Sequence, residues 1–217
     1  MRYALGFRQK PDGRDTFYPL EKIMGVEREN AISKNWLPGP VLNQGPTSSC
    51  VGHACFQLQV SEPVVLLPPR LGPFDIYGEA RKIDEWQDND DVDGGTSVRA
   101  GLNVLRNHGI IDSYYWAQDA EQCLEFILKF GPLVFGTSWT TGMFDPDPNG
   151  YVVPIGSLAG GHAYFGYRAD LAKREIIFRN SWDVTYGQGG DFRMRLEDVQ
   201  DLMEDGGCAA AVREIQP

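Results

Sequence analysis

Apolar positions recur at helical spacing through the first half of the chain and fall in short, turn-bounded runs in the second. Val51, Ala54, Cys55 and Leu58 share one side of a helix predicted from about Cys50 to Val60, with Ser48 or Ser49 as its cap and Pro63 beyond its end. A short helix is predicted near Asp75–Trp86. Val98, Leu102 and Leu105 mark the next, capped by Thr96 or Ser97, running to about His108 and stopped by Gly109. Leu124, Ile127 and Leu128 mark another over about Ala120–Phe130, closed by Gly131-Pro132. After that, Leu133–Ser138, Tyr151–Val153, His162–Arg168, Glu175–Asn180, Asp191–Leu196 and Ala209–Ile215 read as strands. Residues 1–40 read as irregular and extended, because PDGRD is a turn cluster and LPGP blocks a helix before residue 41. Helices precede strands, so the class is α+β. The expected organisation is one domain over residues 1–217, with a mainly helical half at about 40–130 and a mainly β half at about 131–217. A site is expected in the cleft between the halves.

Composition narrows the function classes. A hydrophobic content of 42% and an aromatic content of 12% suit a packed core. The formal net charge of −10 argues against a nucleic-acid partner, which needs a basic face. The opening MRYALGFRQKPDGRD lacks the apolar stretch of a secretory signal. The longest aliphatic run, Val64–Leu67, is far too short to span a membrane. The expected location is therefore cytoplasmic. The cysteines Cys50, Cys55, Cys123 and Cys208 match no metal motif and no disulfide framework. The last three read as buried, reduced core residues in a reducing compartment.

Three segments carry candidate chemistry. In Gln44-Gly45-Pro46-Thr47-Ser48-Ser49-Cys50 a thiol stands at the first turn of a predicted helix, where unpaired N–H groups and the helix dipole stabilise a thiolate. A buried helix cysteine is an equal reading of that segment alone. Gly160-Gly161-His162 places a histidine at a strand start beside two glycines, and a structural histidine would look the same. In Arg179-Asn180-Ser181-Trp182, the asparagine oxygen can accept an imidazole N–H and fix the tautomer, while Trp182 shields the bond.

Taken together and in this order, the three segments resemble the papain family. That family has a glutamine six residues before a nucleophilic cysteine, then a histidine, then Asn-Ser-Trp; Gln44, Cys50, His162 and Asn180-Ser181-Trp182 match. Asp93-Gly94-Gly95 is similar to the family's substrate-binding Gly-Gly segment, and Tyr186–Phe192 is similar to its glycine-rich turn and strand. The N-terminal LGFRQKPDGRD looks most like bacterial and phage-encoded members, which adds a virion as an alternative location. The resemblance implies a helical half, an antiparallel β-barrel-like half and an active-site cleft between them. It implies peptide-bond hydrolysis through a thioester, with Cys50 as nucleophile, His162 as acid and base, Asn180 orienting the ring, and Gln44 with the Cys50 N–H as oxyanion donors. Cys50 and His162 are expected to rest as a thiolate–imidazolium pair. Gly94, Gly95, Gly161 and Trp182 are the implied substrate contacts. No cofactor and no metal are implied, and the partner is a peptide or protein substrate.

The sequence departs from the family at Val51, usually tryptophan, at Thr47, often a disulfide cysteine, and at Asp183, usually glycine. A long inhibitory propeptide has no room before Gln44. A weakly active structural or binding module and an acyl transferase are the alternative functions. Among rival residues, His53 is a second candidate base, His108 reads as a helix C-terminal residue, and Asn89–Gly94 partly matches a calcium loop but has Ala100 in place of its last glutamate.

Overall fold

The computed structural model describes residues 3–24, 32–86 and 94–214. The acidic run Asp88–Asp93 and most of the calcium-loop match lie outside the described residues.

The chain builds five α-helices and seven strands among the described residues. Helices α1 (Cys50–Val60), α2 (Pro73–Ile83), α3 (Val98–Asn107) and α4 (Ala120–Lys129) match the four predicted ones within a few residues. The ends of α3 have the expected chemistry, whereas Ser49, the N-cap of α1, makes no side-chain capping bond. The Ser97 hydroxyl accepts from the Ala100 N–H at 3.1 Å, the Asp119 carboxylate accepts from Gln122, and Gly109 leaves α3 with φ +63°. His108 caps the C-terminus of α3, as read, and its Nε2 lies 2.7 Å from Glu79.

The strands are β1 (Ser33–Asn35), β2 (Ile111–Trp116), β3 (Leu133–Thr140), β4 (Leu158–Asp170), β5 (Glu175–Arg179), β6 (Asp191–Arg195) and β7 (Cys208–Glu214). They pair antiparallel in the order β2-β7-β3-β4-β5-β6, with β1 alongside the far end of β4. Strand β2 and the C-terminal helix α5 (Leu196–Glu204) are additions to the predicted elements, whereas Tyr151–Val153 forms only an isolated bridge from Tyr151 to Arg193. The polar–aromatic IDSYYW of β2 has little alternation of its own. Its partner β7 holds it in register from Tyr114↔Val212 to Trp116↔Ala210.

The sheet is buried on both faces, so residues 133–137 of β3 are all enclosed, the apolar Leu-Val-Phe and the polar Thr137 alike. Leu133, Phe135 and Trp139 join Tyr164, Phe178 and Phe192 beneath α4 and α5. Val134, Ala163, Phe165 and Ile177 face the other way, onto α1, α2 and α3. Helix α1 is therefore enclosed, and every residue from Cys50 to Gln59 is buried rather than one stripe of them. Close packing of α3 on α1 depends on Gly101, since a Cβ there would stand 2.8 Å from the Cys55 sulfur and 2.9 Å from Val51. Val51, in the place of the family's tryptophan, thus belongs to the helical core.

Candidate active site

Cys50 opens α1 and His162 lies on β4, which packs against α1. The backbone N–H groups of Ala163, next to His162, and of Val51, Gly6 and Cys50 itself favour a Cys50 thiolate. Both Cys50 and His162 are wholly buried. His162 Nε2 lies 2.8 Å from Asn180 Oδ1. The same oxygen accepts the Ser181 backbone N–H at 2.7 Å, which identifies it as oxygen and not the amide nitrogen. The imidazole proton therefore sits on Nε2, and Nδ1, which has no hydrogen-bond partner in the structure, carries the lone pair.

Aromatic rings fix the imidazole in place. Trp182 stacks on it with centroids 4.2 Å apart, and Trp139 meets it edge-on at 4.9 Å. Trp182 thus covers the His162–Asn180 bond as the sequence suggested, and Trp139 is a second wall that no motif announced. Asp183 follows with φ +72°, the left-handed conformation that explains glycine at the corresponding family position. Its carboxylate accepts from the Val184 N–H and from Asn43 Nδ2.

Gln44 is buried and oriented from both ends of its amide. Its Oε1 accepts from the Ser181 hydroxyl at 2.6 Å, and its Nε2 donates to the Thr47 carbonyl at 2.8 Å and the Ala4 carbonyl at 3.2 Å. The amide proton predicted to face an oxyanion thus faces a backbone carbonyl of the chain's own N-terminal segment.

That segment lies along the site. Gly6 and Phe7 N–H groups both donate to the Gly161 carbonyl, at 3.0 and 2.9 Å. Thr96 N–H donates to the Gly6 carbonyl and Arg8 N–H to the Thr96 carbonyl, each at 2.9 Å. Trp182 Nε1 donates to the Ala4 carbonyl at 3.1 Å. Three of the four predicted substrate contacts, Gly95, Gly161 and Trp182, therefore touch residues 4–7. The segment's backbone partner on the helical side is Thr96, the neighbour of Gly95, and not Gly94.

Enclosure biases the protonation state. Burial pushes the Cys50 thiol up to about 12, outweighing the backbone N–H groups that favour its thiolate. Burial pushes His162 down to about 3, outweighing the bond to Asn180. Burial thus favours the neutral form of both groups, which works against the expected thiolate–imidazolium pair as long as the site stays enclosed.

The rival histidine is structural. His53 is buried one turn into α1, with its Nδ1 2.9 Å from the Ser49 carbonyl and its ring edge-on to Phe74. All four cysteines are free thiols. Among the described residues no helix is long and apolar enough to cross a membrane.

No protein-family model matches the chain. An uncharacterized peptidase C1-like protein of Acanthamoeba polyphaga mimivirus is 21% identical, over 88% of this chain and 73% of that one. Xylellain, a cysteine protease from Xylella fastidiosa, superposes with a TM-score of 0.72 at 19% identity, over 100% of this chain and 98% of that one. Digestive procathepsin L2 of Tenebrio molitor gives 0.66 at 13% identity, over 98% and 78%. A cysteine protease of Carica candamarcensis gives 0.58 at 15%, over 86% and 100%. The fold of this chain is that of the papain-like cysteine peptidases.

Proposed function

We propose that this protein is a cysteine endopeptidase that hydrolyses peptide bonds of peptide or protein substrates through a thioester on Cys50. The observation that carries the reading is the imidazole of His162. One nitrogen is tied to Asn180 and the other, Nδ1, is a bare lone pair on a strand packed against the thiol-bearing end of α1. Such a nitrogen can take the thiol proton as the sulfur attacks a carbonyl carbon, then deliver it to the leaving amine. Water attacks the thioester next, again losing its proton to His162, which restores the thiol. Gln44 Nε2 supplies a side-chain donor to the oxyanion, since Ser181 holds its oxygen turned away. Hydrolysis and transfer to an amine share the thioester, and product analysis with an added amine separates them.

The test is a covalent thiol-peptidase inhibitor with peptide mapping, together with peptide hydrolysis by Cys50→Ala. Modification of Cys50 and loss of hydrolysis in the variant are expected. Hydrolysis retained by Cys50→Ala would remove the assignment.

A further inference from the structure

We propose that Val153, Ile155 and Leu158 form an apolar ledge that receives the departing end of a peptide substrate and selects large apolar residues about three or four positions beyond the cleaved bond. This inference rests on the peptidase reading and adds a substrate class to it.

These three aliphatic side chains fall within six residues and stand 43%, 63% and 69% exposed. Apolar side chains gathered on one exposed segment mark a contact surface, whereas scattered single ones do not.

Loose chain is not the reason for their exposure. The loop is held against the 3₁₀ turn Thr141–Phe144. Thr141 N–H donates to the Ser157 carbonyl at 2.9 Å, Gly142 N–H to the Ile155 carbonyl at 3.0 Å, and Ser157 N–H to the Thr141 hydroxyl at 3.2 Å. The approach leaves no room for side chains at two glycines. A Cβ on Gly142 would stand 2.7 Å from Ile155 Cγ1, and one on Gly156, held at φ +91°, would stand 2.2 Å from the Thr141 hydroxyl oxygen. A loop already held in place loses little freedom when a ligand lies on it.

The ledge continues the candidate site. Leu158 begins β4, four residues before His162 and opposite Thr140 of β3. Only Ala159, Gly160 and Gly161 separate it from His162, and they present little side chain. Phe144, at the end of the turn that holds the loop, stacks on Trp182 with centroids 5.7 Å apart. A chain lying along the site passes this way, since a Cβ on Gly160 would stand 2.9 Å from Leu5 Cδ1.

Chemistry supplies the direction and strand geometry the distance. His162 delivers its proton to the leaving amine, so the amine end of the cut substrate lies on the His162 side of Cys50. Four strand residues at about 3.3 Å each put Leu158 roughly 13 Å from His162 along β4. An extended substrate advances at the same rate, so its third or fourth residue past the bond reaches the ledge.

The experiment digests a proteome-derived peptide library with the full-length protein and reads the residues downstream of each cut by mass spectrometry. Leu, Ile, Val and Phe should be enriched at the third or fourth downstream residue by roughly 3–10-fold, less than a closed apolar pocket gives. The double variant Ile155→Ser, Leu158→Ser changes two exposed side chains, so it should fold, keep its upstream preferences and lose this enrichment. Leu158→Lys should favour Asp and Glu at the same position instead. Identical downstream profiles for the unaltered and doubly substituted proteins would overturn the proposal. Cutting with no downstream preference removes the ledge and keeps the peptidase reading, whereas a protein that cuts nothing loses that reading and the ledge's substrate with it.

Discussion

The hydroxyl of Ser181 donates to the side-chain oxygen of Gln44 at 2.6 Å, across the junction of the two halves. A second bond, from the Gln44 backbone N–H to the Ser181 carbonyl at 2.9 Å, runs beside it. Ser181 also gives its own N–H to Asn180. One residue therefore orients both the Gln44 amide, proposed above as an oxyanion donor, and the asparagine bonded to the histidine.

The first prediction concerns that hydroxyl. Ser181→Ala frees the Gln44 amide to rotate, so hydrolysis should slow, by no more than the roughly 10²–10³-fold that removal of an oxyanion donor costs. Alkylation of Cys50 forms no oxyanion and should be nearly unchanged. Ser181→Thr keeps a hydroxyl and should recover part of the loss. Steady-state kinetics of the three proteins beside their alkylation rates decide the matter; equal slowing of both reactions would point to a general packing defect.

Histidine roles should separate by residue. His162→Ala removes the proton carrier, and hydrolysis should fall by roughly 10²–10⁴-fold. Asn180→Ala leaves the ring present but untied and should cost less. His53→Ala, which breaks the bond to the Ser49 carbonyl, should lower stability by about 1 kcal/mol while retaining turnover. Activity assays with urea unfolding check this, and a His53 variant as inactive as the His162 variant would reverse the assignment.

Acid should destabilise the closed protein partly through His162. The folded value is pressed from 6.5 to about 3 by burial, so the neutral ring is favoured in the fold. Above about pH 6.5 both folded and unfolded rings are neutral and the group has no effect on stability. As pH falls from 6.5 toward 3 the unfolded ring takes a proton first, and stability is lost, by up to about 5 kcal/mol if the site stays closed. His162→Gln should show a shallower fall in melting temperature across that range. An unchanged slope in His162→Gln would show that other groups dominate acid unfolding.

Asp183 holds a left-handed backbone that few side chains tolerate. Asp183→Gly relieves that strain but loses the carboxylate's bonds from the Val184 N–H and, at 3.3 Å, from Asn43, so the opposing effects should leave its stability within about 1 kcal/mol by urea unfolding. Asp183→Val has neither remedy and should lose about 1–3 kcal/mol. Comparable stability of the two variants would rule out backbone strain as the reason for the residue.

Much of the site was legible because its parts are local. A thiol at a helix N-terminus, glycines before a histidine, and Asn-Ser-Trp at a strand end are short stretches whose chemistry is written in neighbouring residues; α1 and β5 form where those stretches predict them, while β4 begins at Leu158 and carries His162 in its interior. The helix ends at Ser97 and Gly109 were legible for the same reason, since capping joins groups a few residues apart, whereas the Asp119 cap of α4 came from the structure. Strand β2 and helix α5 were not. The first takes its register from β7, about a hundred residues on, and the second follows a strand whose end no turn residue marks.

The sequence by itself determined the order of the chemistry-bearing segments, the α+β class and the ends of α1, α3 and α4 to within a residue or two. Tertiary structure alone decided the state of the site. Residues 4–8 read as irregular, extended chain with no stated role at the site until Gly161, Thr96 and Gly95 converge on them from distant positions. The same convergence buries Cys50 and His162 and so favours their neutral forms. A side chain's solvation depends on everything packed around it, so ionisation at an enclosed site is a property of the whole fold and not of the residues beside it.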